Sequence, residues 1–290
     1  MSHVLSSPLG KRRLPQDLTL ILVLPLLVYF LAFVLAPQVV LLIMSFKGFG
    51  QEVTVAHFTR ALSDPMTFGV LVSTLRIGLY TTVLTLLIGF PYALAMVMVG
   101  PRLRTFLLLM VVLPLLVSAV VRTFGLLVTL GNQGPLNGLL MAMGWTDGPV
   151  KILFTEVAVI IGLTQMELPI MVLSLFTVLS KLDPGLMQAS RSLGAGHWMT
   201  FFKVIVPLSV PGVIAGSSLV FASAVGSFVT QTILGGGGLL YMPMYIYQQS
   251  ILMQEWAFAA TLAVILMATV STIVFAGTAL ARRSQGYIYG

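Results

Sequence analysis

KLDPGLMQASRSLGAGHWMTFFKVIVPLSVPG, residues 181–212, is the stretch that decides how this chain is organised. It is polar and basic, and long apolar runs precede and follow it. Only 8% of all residues are charged and 58% are hydrophobic, whereas soluble domains carry about 25% charged residues. We therefore predict an integral membrane protein whose apolar runs cross the bilayer and hold residues 181–212 at its surface.

The apolar runs predict an all-α membrane domain of about six transmembrane helices. One crossing of the hydrocarbon layer needs roughly 20 apolar residues, so a chain of 290 residues accommodates about six with short loops. The predicted spans are residues 18–45, 68–99, 106–130, 152–179, 206–234 and 256–281. We assign residues 1–16 to an N-terminal arm, 17–283 to the membrane domain and 284–290 to a C-terminal tail.

The distribution of basic residues predicts which side of the membrane each loop faces. Six spans place ten basic residues on the side of the termini: Lys11, Arg12, Arg13, Arg102, Arg104, Lys181, Arg191, Lys203, Arg282 and Arg283. Only Lys47, Arg60 and Lys151 fall on the other side. Because basic loops stay in the cytoplasm, both termini and residues 181–212 are predicted to be cytoplasmic. The net charge of +7 therefore reflects topology, and we expect no nucleic-acid partner.

Residues 181–206, which we call the coupling segment, carry signals for two short helices. Asp183 and Pro184 suit the N-cap and first position of a helix, and Gly194 stands where a glycine would end it. A second short helix is predicted from His197 to Val206, with Pro207 marking re-entry into the membrane. Periodicity alone favours a basic amphipathic connector resting on lipid headgroups. The alternative is an element that inserts into a groove on a partner protein.

A resemblance favours the second alternative. The pattern of Gln188, Ala189, Ser190, Gly194, Val206 and Pro207 resembles the EAA motif of ABC importer permeases, usually Glu-Ala-Ala, then Gly, then Ile-x-Leu-Pro. The resemblance implies that the segment contacts an ATPase subunit through Gln188, Ala189, Ser190, Arg191, Leu193, Gly194, Ala195 and Pro207. Two residues depart from the motif: Gln188 replaces the charged Glu, and Ser190 replaces the second Ala.

The resemblance extends over nearly the whole chain from Leu18. Residues 113–140 and 227–238 are similar to the spermidine/putrescine-type permeases, in particular the first of their two paired subunits. This implies a type I ABC importer permease fold in a bacterial inner membrane and a polyamine or similar small amine as solute. It also implies a second, related permease chain, two ATPase subunits that use ATP and Mg, and an external solute-binding protein. Other solutes of this branch, an aminophosphonate or a ferric ion, remain alternatives.

The sequence gives this chain no ATPase site of its own. A phosphate-binding P-loop needs Gly-Lys followed by Ser or Thr, but Gly10-Lys11 is followed by Arg12. The chain has no cysteine, and its histidines, His3, His57 and His197, fall in different segments, so we expect neither a cofactor nor a metal site.

Two other functional classes, a gradient-driven transporter and an intramembrane enzyme, find less support in the sequence. An ion-gradient-driven transporter is permitted by a single acidic residue inside a span, but it would leave the coupling segment without a role. An intramembrane enzyme would need a second, paired carboxylate, which the predicted spans lack.

Charged residues inside spans are the best candidates for the substrate path, since each is costly in lipid unless it is paired or hydrated. The candidates are Glu167, Arg122 and Arg76, together with Phe228, Thr230 and Gln231 on the predicted fifth span. Glu167 lies near the middle of the fourth span. It either attracts a cationic substrate or locks helices together through an ion pair with Arg76 or Arg122, and the sequence leaves both open.

Overall fold

The computed structural model describes residues 24–47, 52–183, 185, 190, 192 and 194–286, which form helices and turns and no strand. Helices of more than one turn within these residues are, in chain order, α1 Leu24–Phe46, α2 Ala56–Ser63, α3 Pro65–Met98, α4 Pro101–Val112, α5 Ala119–Leu130, α6 Pro135–Ala142, α7 Glu156–Leu179, α8 His197–Gly226, α9 Phe228–Gly235, α10 Met242–Tyr247 and α11 Trp256–Gly286. The N-terminal arm, residues 1–16, lies outside the described residues. Helix α11 includes the first residues of the predicted C-terminal tail.

Five of these helices, α1, α3, α7, α8 and α11, are long and apolar enough to cross a membrane. A sixth crossing is present if the bent pair Pro101–Leu116 and Ala119–Ala142 forms one span. The prediction of an all-helical membrane protein with about six spans is therefore confirmed. Helix α7 begins at Glu156, four residues later than the predicted fourth span, because the side chain of Thr155 caps it there.

The predicted third span, residues 106–130, contains a sharp bend. The chain changes direction by 100° between Leu116 and Ala119. Pro114 stands at the start of a short 3₁₀ turn, and the backbone becomes extended at Val117. A proline cannot donate the backbone hydrogen bond that would continue an α-helix, so the turn tightens and the helix stops.

The predicted fifth span, residues 206–234, is wrong at both ends. Helix α8 runs from His197 to Gly226, so the second short helix and the span are one element, and Pro207 does not interrupt it. A π-turn at Phe201–Ile205 precedes this proline, and such turns absorb the loss of one helical bond. The helix ends instead before Ser227, which leaves the helical conformation.

The centre of the molecule is the contact of α3, α7 and α8. Glycines make this contact close: Gly89 lies against Met171, and Gly216 also lies against Met171 from α8. Helices in membranes approach most closely where small residues face each other. This packing brings α7 and α8 together, and Glu167 of α7 contacts Ser223 of α8.

Candidate functional site

Glu167 of α7, Ser223 of α8 and Arg122 of α5 form what we call the polar cluster in the interior of the predicted membrane domain, and Glu167 is its acidic member. Glu167 is only 5% exposed. Its Oε1 accepts a hydrogen bond of 2.7 Å from the hydroxyl of Ser223 on α8, whereas its Oε2 has no partner among the described residues. A buried carboxylate is costly unless its oxygens are hydrogen-bonded, so this free oxygen can accept a bond from a ligand.

Arg122 of α5 is the basic member of the polar cluster. Its Nε and Nη1 are buried and have no hydrogen-bond partner among the described residues. Its charge is close enough to act on Glu167, yet the ion pairs within 4.0 Å in the described chain join Arg60 to Glu255 and Arg76 to Glu156. Arg122 and Glu167 thus keep unused bonding capacity instead of neutralising each other by direct contact.

Arg76 does not belong to the polar cluster. Its Nε and Nη2 donate to the two carboxylate oxygens of Glu156, at 3.0 and 2.6 Å. Glu156 is the first residue of α7, so this bidentate pair fastens α3 to the start of α7. The structure therefore gives Arg76 a structural contact away from Glu167.

Tyr241 lies near this ion pair. Burial, and then the nearby Glu156 carboxylate, raise the pKa of Tyr241 to about 12.

The three candidates on α9 have different surroundings. Thr230 is buried, and its hydroxyl lies 3.3 Å from that of Thr123 on α5, next to Arg122 in sequence. Gln231 is also buried, and its Nε2 donates to the carbonyls of Ala224 and Val225 where α8 ends. It satisfies acceptors that the helix break leaves free.

Phe228, in contrast, is 37% exposed, and its ring packs against Tyr247 at 5.4 Å. The structure thus places Thr230 at the junction of α9 with α5, beside the residue that follows Arg122. It assigns Phe228 to a contact with Tyr247, the last residue of α10.

The described part of the coupling segment contains the predicted turn. Gly194 adopts a left-handed backbone conformation with φ of +80°. The N–H of Ala195 donates to the carbonyl of Ser190 at 3.1 Å, and the hydroxyls of Ser190 and Thr200 lie 3.0 Å apart. Of the other predicted ATPase-contact residues, Pro207 lies inside α8, and Gln188, Ala189, Arg191 and Leu193 lie outside the described residues.

An apolar cavity of about 940 Å³ lies beside the start of α8. Phe90 of α3 and Trp198 and Phe201 of α8 are among its lining residues, and the rings of Phe90 and Phe201 meet edge to face at 5.7 Å. No member of the polar cluster lines this cavity. The cavity therefore lies beside the contact of α8 with α3, and Glu167 does not line it.

Sequence reasoning missed Ser223, which donates to Glu167, and Thr123, whose hydroxyl lies next to that of Thr230. Ser223 lies between Ala222 and Ala224 in an apolar run, where a small polar residue is typical of helix packing.

In the part of the chain that the structure describes, no three His, Asp or Glu side chains come together as metal ligands would.

Comparison with known proteins settles the family. Residues 85–284, well over half of the chain, match the family model described as binding-protein-dependent transport system inner membrane component. The chain belongs to this family. It is thus a multi-pass permease subunit of the bacterial inner membrane, and the sequence resemblance to ABC importer permeases is confirmed.

Two individual proteins that are similar to this chain are also transport-system permeases. The spermidine/putrescine transport system permease protein PotB of Haemophilus influenzae is 35% identical over 266 residues, which cover 90% of this chain and 92% of that protein. PotB of Escherichia coli is 37% identical over 213 residues, covering 73% and 77% of the two chains.

Solved structures show the same fold at lower identity. A bacterial ABC transporter involved in alginate import has a TM-score of 0.73 at 20% identity, covering 92% of this chain and 96% of that one. The MetNI methionine transporter in an inward-facing conformation has a TM-score of 0.60 at 20% identity, covering 76% and 98%. The permease therefore has the ABC importer permease fold.

Proposed function

We propose that this permease forms half of the translocation path for a polyamine or a similar small organic cation. The observation that carries the proposal is the buried carboxylate of Glu167, which has one oxygen bonded to Ser223 and the other free. An ammonium group of the solute would supply the missing donors and the opposite charge. PotB proteins, which are 35–37% identical to this chain, are spermidine/putrescine permeases.

Arg122 suits a path through which a cation passes without being trapped. A transport site must bind its solute well enough to admit it and weakly enough to release it. The positive charge of Arg122 acts on the same carboxylate, so it reduces the net attraction for an ammonium group. Thr230 and Thr123 add hydroxyls that can exchange hydrogen bonds with a passing amine.

One observation favours a second candidate solute. The buried, unpartnered Nε and Nη1 of Arg122 can donate to an anionic group while Glu167 accepts from a cationic one. A zwitterion such as an aminophosphonate would use both side chains. The ferric ion has less support, because Glu167 is the only acidic residue in the polar cluster and hard trivalent cations need several oxygen ligands.

The energy for transport is assigned to partner proteins. Under this proposal two ATPase subunits bind ATP and Mg and contact the coupling segment on the cytoplasmic side, where both termini also lie. A second, related permease chain completes the path, and an external binding protein delivers the solute. Closure of the ATPase pair would push the two coupling segments together and open the translocation cavity between the two permease chains to the outside. ATP hydrolysis would return the assembly to its starting conformation.

Competition in reconstituted uptake tests the proposed solute. The permease, assembled with its partner permease, ATPase subunits and binding protein in proteoliposomes, is expected to take up labelled spermidine when ATP is supplied to the ATPase side. Unlabelled putrescine should compete, whereas 2-aminoethylphosphonate should not. Uptake of labelled 2-aminoethylphosphonate with no uptake of spermidine would replace the polyamine by the zwitterion.

A further inference from the structure

The turn at residues 194–196 lies inside the coupling segment and leads into α8. It contains Gly194 and Gly196, and a Cβ atom built on either one would meet no atom within 4 Å. The backbone bond from Ala195 to Ser190 closes the turn. A glycine-containing turn of this kind has high conformational freedom, so it would transmit motion poorly if this single backbone bond held it.

Ser190 makes a second connection that spans the turn. Its hydroxyl lies 3.0 Å from the hydroxyl of Thr200, in the first turns of α8. Thr200 is only 5% exposed, and a buried hydroxyl that loses its bond is costly. Ser190 therefore bonds both to Ala195, which closes the turn, and to Thr200 in α8.

Helix α8 connects this point to the polar cluster. Thr200 and Ser223 lie 23 residues apart on one helix, which spans about 35 Å at 1.5 Å per residue. Ser223 bonds to Glu167 at the far end. At the near end, α8 touches α3 through Phe201 and Phe90 beside the apolar cavity. The start of α8 thus contacts α3, and Ser223 near its other end reaches Glu167, the candidate substrate carboxylate.

We propose that Ser190 is a positioning residue for transport: its bond to Thr200 makes the coupling segment at Ser190, before the turn, move as one body with α8, and α8 carries that movement to Glu167. This inference rests on the proposed function, in which the coupling segment receives the motion of the ATPase. Alanine is the usual residue of the resembling motif at this position. The hydroxyl link is therefore a feature of this chain that the motif itself does not supply.

The test is the number of spermidine molecules transported per ATP hydrolysed, measured with the full assembly in proteoliposomes. Ser190→Ala and Thr200→Val should each lower this ratio about fivefold, the size expected for one hydrogen bond. The double variant should be no worse than either single one, because both changes remove the same bond. Ser190→Thr, which keeps the hydroxyl, should retain most of the wild-type ratio.

The matched control is Thr272→Val in α11, where the threonine hydroxyl bonds to the carbonyl of Ala268 on the exposed face. It should leave the ratio unchanged. A wild-type ratio in Ser190→Ala, an additive loss in the double variant, or an equal loss in Ser190→Thr and Ser190→Ala would each overturn the inference. If the wild-type assembly itself shows no ATP-dependent uptake, the proposed function fails instead.

Discussion

Glu167→Gln is expected to slow spermidine uptake about 10- to 100-fold, the range that corresponds to losing one hydrogen bond to a charged group. The glutamine keeps an oxygen that can accept from Ser223, so the contact between α7 and α8 is retained. It removes the negative charge that attracts the ammonium group. The measurement is the initial rate of ATP-driven uptake into proteoliposomes at several spermidine concentrations.

Two variants make this result specific. Glu167→Asp keeps the charge and should retain more uptake than Glu167→Gln. Glu52→Gln makes the same chemical change at an exposed position and should leave uptake at the wild-type rate. Unchanged kinetics in a properly assembled Glu167→Gln transporter would show that the carboxylate serves helix packing and not the substrate.

Gly194→Val should lower the rate of ATP-driven uptake about tenfold or more, while the chain still inserts into the membrane. Gly194 has a φ of +80°, and an L-residue in the left-handed region costs about 1–2 kcal/mol. A β-branched side chain adds to this conformational cost, because its χ1 is restricted. The turn would change shape, and the coupling segment would no longer present the same surface to the ATPase or the same bond to Thr200.

The chain offers a matched control two residues away. Gly196 has a φ of −68° and a ψ of 167°, a conformation that any residue adopts, and a Cβ there has open space. Gly196→Val should therefore retain uptake. Both variants are compared by uptake rate and by the amount of assembled complex in the membrane. Normal uptake by Gly194→Val, or an equal loss in both variants, would contradict the role assigned to the left-handed turn.

The membrane-crossing helices could be predicted because length and apolarity alone decide them. The break near Pro114 could not, since prolines occur inside other helices of this chain without ending them. Pro91 lies within α3 and Pro169 within α7. Whether a proline bends or ends a helix depends on how neighbouring helices satisfy the freed backbone groups, and that is a property of the folded chain.

The candidate site was only partly predictable for a related reason. Glu167 is conspicuous because a charge inside an apolar run is rare. Its partner Ser223 lies 56 residues away, and Arg76 finds Glu156 across 80 residues. Gln231 looks like a path residue in the sequence; its Nε2 donates to the carbonyls at the end of α8, whereas its buried Oε1 has no partner among the described residues. These pairings follow from tertiary contacts that no local pattern encodes.

The source of energy is the most direct test of the whole account. Accumulation of labelled spermidine is measured in proteoliposomes that contain the complete assembly, with and without ATP, and with a proton ionophore that collapses the pH gradient. We predict accumulation that requires ATP and the ATPase subunits and persists when the ionophore is present. Accumulation that continues without the ATPase subunits and stops with the ionophore would contradict the account and identify a gradient-driven transporter.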